Sequence, residues 1–380
     1  MNFNLSDEQK MIRNAVDKFI RNDYSFDARK KVLDTEHGFS RSHWQQFAEM
    51  GWLGIPFAED QGGLGGGILD IAQVMEAFGT GMVVEPYLSS VVLAGGLINM
   101  GGSQAQKDAL LPALIEGKLL LAVAYTERES RSNPVDVQTR AEKSGGGYVL
   151  NGEKAVVLGA ALADKLIVST RTSGNRLDEQ GISLFLVDSK AAGVSIQGFR
   201  TMEGGNAANI KFSGVKLTAD ALIGQEGKGF ALLDNAIDHA TVAACADALG
   251  SMHSAMRKTV EYLKTRKQFD VPIGSFQALQ HRAVDMFTAV EACRSMVLMA
   301  SLKVSDTNPV ERKMAVSAAK QFVGEKARLV AQQAVQMHGG IGMTEELDIG
   351  HYFRRLTMFC SLFGTTEYHL NRYADLMAAA

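Results

Sequence analysis

Four short stretches of the chain carry residue types whose spacing can do chemistry. YLKTRKQFDVPIGSFQALQHRAVDM, Tyr262 to Met286, ends a helical pattern in a cationic cluster, turns at Pro-Gly and restarts with Gln277 and Gln280. Arg266 in that setting can offer a bidentate fork to a phosphate, with Phe269 beside it for a ring. Lys and Arg at a helix C-terminus also simply complement the macrodipole, and the stretch by itself leaves both readings open. QMHGGIGM, Gln336 to Met343, ends another helical pattern in two glycines. Gly339 fits a helix C-cap, and glycines also let backbone approach a bulky ligand. SLFGTTEYHL, Ser361 to Leu370, places Gly364 before two hydroxyls, a turn able to receive a polar ligand, yet Phe363 before the glycine can move no proton. GGLGGG, Gly62 to Gly67, has nearly dinucleotide-fingerprint spacing. It reads as a loop, because that fingerprint needs a strand before it and a crossover helix after it.

The elements that must position these residues change character twice along the chain. Ser6-Asp7-Glu8-Gln9 is a capping box, and Ile12, Val16, Phe19 and Ile20 follow at helical spacing. Further helices are expected near 42–50, 69–78 and 104–116. From about Leu119 the pattern becomes short Val-, Ile- and Phe-rich strands: DKLIVST, GISLFLVD, GVSIQGF and NIKFSGVKL. Asn151-Gly152 between two apolar runs predicts a hairpin turn. After Gly229 helices return near 230–264, 275–303 and 309–338, the last opened by Asn308-Pro309. The expected organisation is a helical domain over 1–118, a β-domain over 119–228 and a helical domain over 229–380.

Bulk properties narrow the function classes. The chain has 380 residues, 46% apolar and 21% charged, with a net charge of −3. That balance gives no electrostatic case for nucleic acid or an anionic membrane. The three cysteines show neither CxxC spacing nor an even framework, so no metal site is expected. The charged N-terminus and the absence of a long pure apolar run lead to the expectation of a soluble cytoplasmic protein.

Taken together, YxxxRxQF, FQxxQ and DM, then QxxGGxG, then a C-terminal GT turn resemble the acyl-CoA dehydrogenase family. FNLSDEQKMIRNAVDKFI at the start and AYTE at Ala124 to Glu127 match as well, so the resemblance spans essentially the whole chain. It implies a mainly α fold with a β-domain insert: an N-terminal helical domain, a β-barrel-like middle domain and a C-terminal four-helix bundle. It also implies FAD at a subunit interface, an acyl-CoA substrate and electron transfer flavoprotein as acceptor. Carried over by position, Arg266, Gln268 and Phe269 would grip the FAD pyrophosphate and adenosine of a neighbouring subunit, with Phe276 and Gln277 on the same arm. Gln336, Gly339 and Gly340 would hold the adenosine portion. Thr365 and Glu367 would lie near the diphosphate and adenine, and Tyr125 and Thr126 would face the flavin ring.

The same resemblance identifies what is missing. Family members use a carboxylate to remove the α-proton of the thioester, in most cases a Glu immediately before the Gly-Thr turn. Here that residue is Phe363. In other members the Glu lies on the first helix of the C-terminal domain, at a distance that here falls on Ala240. Asp238 is two residues away, about 200° around a helix, and is a weak substitute. Val156 and Leu158 replace the aromatic and threonine expected against the flavin, RESRSN (Arg128–Asn133) replaces a Gly-rich loop, and Thr241 replaces an arginine. Glutamate-less chains of this kind resemble the small subunit of pimeloyl-CoA-type dehydrogenases and paired enzymes of bacterial steroid breakdown. Three readings follow: a base-less subunit partnered by a Glu-bearing homologue, a self-sufficient homo-oligomer using Asp238 or Glu367, or a non-catalytic acyl-CoA- or FAD-binding scaffold.

Overall fold

The computed structural model describes residues 5–379, so Phe3 and Asn4 of the N-terminal match lie outside the described residues. Two compact units are formed. One combines the described residues up to Lys31 with Ile68–Val83 and everything from Thr241 onward; the other combines Val32–Gly67 with Val84–Ala240.

In the first unit, helix α1 (Asp7–Asn22) begins at a capping box: Gln9 N donates to Ser6 Oγ at 3.2 Å and Ser6 N to Gln9 Oε1 at 3.1 Å. Helix α2 (Phe26–Leu33) follows, and after the short α3 (Arg41–Glu49) of the other unit comes α4 (Ile68–Gly81). α1 buries Val16 and Phe19. Ile20 approaches Gly81 so closely that a Cβ there would lie 2.7 Å from its Cδ1, so a larger residue would have to displace the Ile20 side chain. The half-exposed loop at Gly62–Gly67 has no strand before it, in line with a loop rather than a phosphate cradle.

The second unit is built on a mixed sheet. Between α4 and the sheet lie a π-helix (Tyr87–Gly95), α5 (Gly96–Gly101) and α6 (Gln104–Ile115). The strands are β1 (Leu121–Ala124), β2 (Arg140–Ser144), β3 (Gly147–Leu158), β4 (Lys165–Arg171), β5 (Ile182–Asp188), β6 (Val194–Arg200), β7 (Asn206–Leu217) and β8 (Leu222–Ile223). Their order is β6-β7-β3-β2-β4-β5-β8, with β1 added parallel to β4. Leu150, Leu166, Val168, Phe185, Ile210 and Phe212 form its core.

The hairpin expectation at Asn151-Gly152 needs correction. β3 runs straight through that pair, at a bulge opposite β7. The turn is instead at Gly145-Gly146, where Ser144 pairs with Gly147 and both glycines have positive φ, 58° and 85°. Such a two-residue turn needs positive φ at both central positions, which two glycines supply without strain. Asn151 is kept for another task, its Oδ1 accepting from Gly214 N at 2.7 Å.

Helix α7 (Gly229–Thr265) gives its first turns to the second unit and the rest to the first. After it come the ribbon β9 (Lys267–Gln268) and β10 (Val271–Pro272), then α8 (Gln277–Lys303), α9 (Pro309–His338), α10 (Ile349–Phe359) and α11 (Thr366–Ala379). Asn308 Oδ1 accepts from Val310 N at 2.9 Å and Pro309 opens α9, as the sequence implied. Arg355 on α10 clasps Asp247 on α7 through two contacts of 2.6 and 2.9 Å. Among the described residues no helix is long and apolar enough to cross a membrane.

Candidate active site

The turn between α10 and α11 is tied down from below. Lys320 on α9 is fully buried, and its ammonium donates to the carbonyls of Phe359 at 2.9 Å and Gly364 at 3.0 Å. It also sits 4.4 Å from the centre of the Phe359 ring. Burial pushes this lysine down to about 8, and no carboxylate offsets that penalty; the nearby Cys245 and Cys360 thiols only temper it. His369 on α11 holds the next carbonyl. Burial pushes its ring down to about 3, so it stays neutral, donating from Nε2 to Phe363 O at 3.1 Å while Nδ1 accepts from Ser317 Oγ at 3.3 Å.

Phe363 itself is 7% exposed with φ 56°, a left-handed conformation that costs a bulky residue free energy. Its own carbonyl is engaged by His369, but its N–H has no acceptor among the described residues. An unsatisfied amide in a buried turn is rare and fits a ligand carbonyl that arrives to accept from it. Gly364 is required next to it: a Cβ there would lie 2.7 Å from Tyr368 and 2.8 Å from His369. Thr365 caps α11, its Oγ1 accepting from Tyr368 N at 3.1 Å, and Glu367 is exposed in the first turn.

The arm predicted from sequence is a two-stranded ribbon with an exposed tip. Gln268 pairs with Val271, and Phe269 and Asp270 between them have φ of 55° and 66°. Phe269 is 85% exposed and touches Phe276 edge-on, ring centres 6.1 Å apart. Arg266 is exposed and makes no ion pair among the described residues, and Gln277 is exposed where α8 begins. The ends of α7 and α9 meet at this arm, because Tyr262 stacks on His338 at 4.4 Å and 26°. Gly339 caps α9 with φ 65°, and a Cβ on Gly339 or Gly340 would meet nothing within 4 Å. Gln336, Gly339 and Gly340 are thus all exposed beside the arm. The first unit therefore gathers the arm and the glycine turn at one end.

In the second unit, Tyr125 and Thr126 follow β1 and lie against β3, where Ala155 N donates to Thr126 O at 2.9 Å. Beneath them is a buried ion pair that the sequence did not single out. Lys154 Nζ reaches Glu127 Oε1 at 2.8 Å and Ser169 Oγ at 3.0 Å. Glu127 accepts further from Gln138 N at 2.8 Å and Thr139 N at 3.0 Å. Burial pushes the Glu127 carboxyl up, but Lys154 and these amides outweigh it and hold it below the ordinary range. Burial drives Lys154 down. Next to this pair Val156 is 54% exposed with φ 53°, an outlier for a β-branched residue. Ala240 and Asp238 on α7 are both fully buried, and Asp238 has interactions of its own within the fold.

Family models described as the acyl-CoA dehydrogenase N-terminal, middle and C-terminal domains match residues 6–118, 122–215 and 227–378. A probable acyl-CoA dehydrogenase, YngJ of Bacillus subtilis (strain 168), is 32% identical over 372 residues, spanning 97% of each chain. The ChsE4-ChsE5 complex from Mycobacterium tuberculosis is similar in structure with a TM-score of 0.91 at 26% identity, covering 100% of both chains. The FAD complex of PigA gives a TM-score of 0.92 at 26% identity, covering 100% of this chain and 99% of that one.

Proposed function

The chain belongs to the acyl-CoA dehydrogenase family, and from that premise we propose that it is the base-less subunit of a heteromeric, FAD-dependent enzyme that desaturates an acyl-CoA thioester between Cα and Cβ. The observation that carries this reading is Phe363, an apolar side chain at the family's base position inside a turn whose supports are complete. Bound FAD supplies the hydride acceptor for the β-hydrogen. The partner provides the flavin-ring site at which the thioester carbonyl is polarised, and this chain contributes the adenosine-side arm, its Phe363 N–H remaining as the donor of a turn that has lost its base. Removal of the α-proton has no agent here. Ala240 has no titratable group, Asp238 is buried and engaged, and Glu367 is exposed in the first turn of α11. The Glu-bearing homologous subunit provides the base, and electron transfer flavoprotein takes the electrons onward.

The fit to FAD is uneven. Arg266, Gln336, Gly339 and Gly340 are exposed and uncommitted on the adenosine side, suited to a neighbour's cofactor. Phosphate recognition by a guanidinium fork and close approach to glycine backbone account for those residue types. On the ring side Val156 and Leu158 offer neither an aromatic face nor a hydroxyl. The similar ChsE4-ChsE5 complex, named for two components, supports a paired assembly.

Co-expression with a Glu-bearing homologue, followed by native mass and flavin count, tests this reading. The expected product contains both chains and one FAD for each pair. A homo-oligomer of this chain alone with one FAD per subunit would overturn it.

A further inference from the structure

A cleft of about 410 Å³ lies in the first unit, walled by α1, the end of α4, α7 and the start of α10. Four cations line it, and two are neutralised. Arg13 pairs with Asp17 at 3.2 Å and Glu76 at 3.3 Å, and Lys258 pairs with Asp348 at 2.9 Å. The remaining two, Arg21 and Arg257, are exposed and make no ion pair among the described residues. Arg21 lies in the last turn of α1, where a cation suits the helix dipole. Arg257 has no such reason, since it lies two turns inside α7.

His253 on the cleft wall is half-buried. Burial first, and then Arg294, Arg257 and Arg13 against the opposing Glu76, holds its ring below the ordinary value. The wall also has an apolar part, to which Tyr24 and Tyr352, both almost wholly buried, contribute. Volume, unpaired guanidinium groups and an aromatic floor together match small-ligand sites, which combine an apolar wall with few placed polar groups.

We propose that this cleft binds a phosphoryl dianion through Arg21 and Arg257, presented either as the free ion or on a small organic group that lies against Tyr24 and Tyr352. Guanidinium is the cation best matched to phosphate, because its planar fork donates two parallel hydrogen bonds. Nothing in this site depends on Phe363 or on the base-less reading.

Calorimetry on the protein in its native assembly, at fixed ionic strength with chloride as the baseline, uses AMP and inorganic phosphate as probes. The expected result is saturable binding of at least one probe at one site per chain, weakened about tenfold or more by Arg257→Gln and by Arg21→Gln. Tighter binding of AMP assigns the organic phosphate, and equal affinities assign the free ion. Absence of saturable heat with both probes, or affinity unchanged in Arg257→Gln, would overturn the proposal. Flavin content, measured in the same preparations, is expected to stay constant and keeps this outcome separate from that of the dehydrogenase reading.

Discussion

Lys154→Met is expected to destabilise the second unit by about 3–5 kcal/mol, the usual cost of removing one partner from a buried ion pair. Methionine fills much of the same space, so the loss arises from charge rather than from a cavity. Glu127 would keep its two amide donors, from Gln138 and Thr139, but would face a buried environment without its counter-ion. Its carboxyl is depressed in the fold, so the stability it contributes is present above the ordinary carboxylate range and is lost as pH falls through the folded value. Acid sensitivity should therefore diminish in the variant along with the stability itself. Chemical denaturation of wild type and variant near neutrality and at mildly acidic pH checks both points. A loss below about 1 kcal/mol would mean that the pair is not holding the Tyr125–Thr126 edge.

Lys320→Met is expected to cost about 2 kcal/mol at neutral pH, because the buried Gly364 carbonyl loses its partner. Phe359 O is less affected, since Leu362 N also donates to it at 3.1 Å. The pH dependence has a definite sign. Burial lowers Lys320 to about 8 from the ordinary 10.5, so between those values the unfolded chain binds the proton that the fold has released. Stability from this group consequently rises with pH across that window, by an amount on the order of 3 kcal/mol at most. A neutral amine still carries two N–H donors for the two carbonyls. The gap between wild type and Lys320→Met should thus widen from pH 8 towards pH 10. Hydrogen exchange at Leu362 and Tyr368, whose amides donate to Phe359 O and Thr365 Oγ1 on either side of the turn, should also speed up in the variant, because the turn loses one of its ties. A gap that narrows with pH would contradict the account of this lysine.

Much of the architecture is legible in the sequence because periodicity and punctuation are local signals. The capping box at Ser6, the Asn308-Pro309 start of α9 and the strand runs β4 to β7 sit where their residue types require. The groups that support the candidate site are less legible. Lys320 and Lys154 look like ordinary surface charges in a helix and a strand, and burial of a lysine depends on tertiary partners far away in the chain. One signal was available for Lys320. It shares a helical face with Val316, Val323 and Ala327, all buried, and a charge on such a stripe has to be explained. No comparable signal exists for Val156, whose left-handed backbone runs against the preference of a β-branched residue. The turn at Gly145-Gly146 was overshadowed by Asn151-Gly152, a stronger pair by composition that β3 absorbs into a bulge.

Phe363 was visible from the start as a residue unable to move a proton, and the structure adds that its turn retains Lys320, His369 and a free amide. Anaerobic mixing with a panel of acyl-CoA thioesters, read as bleaching of the flavin, tests the central claim most directly. The purified chain supplied with FAD should leave the flavin oxidised, or reduce it about 10²–10⁴-fold more slowly than the assembly with a Glu-bearing subunit, the span a positioned general base contributes. Flavin reduction by the chain alone at the rate of that assembly would contradict the account.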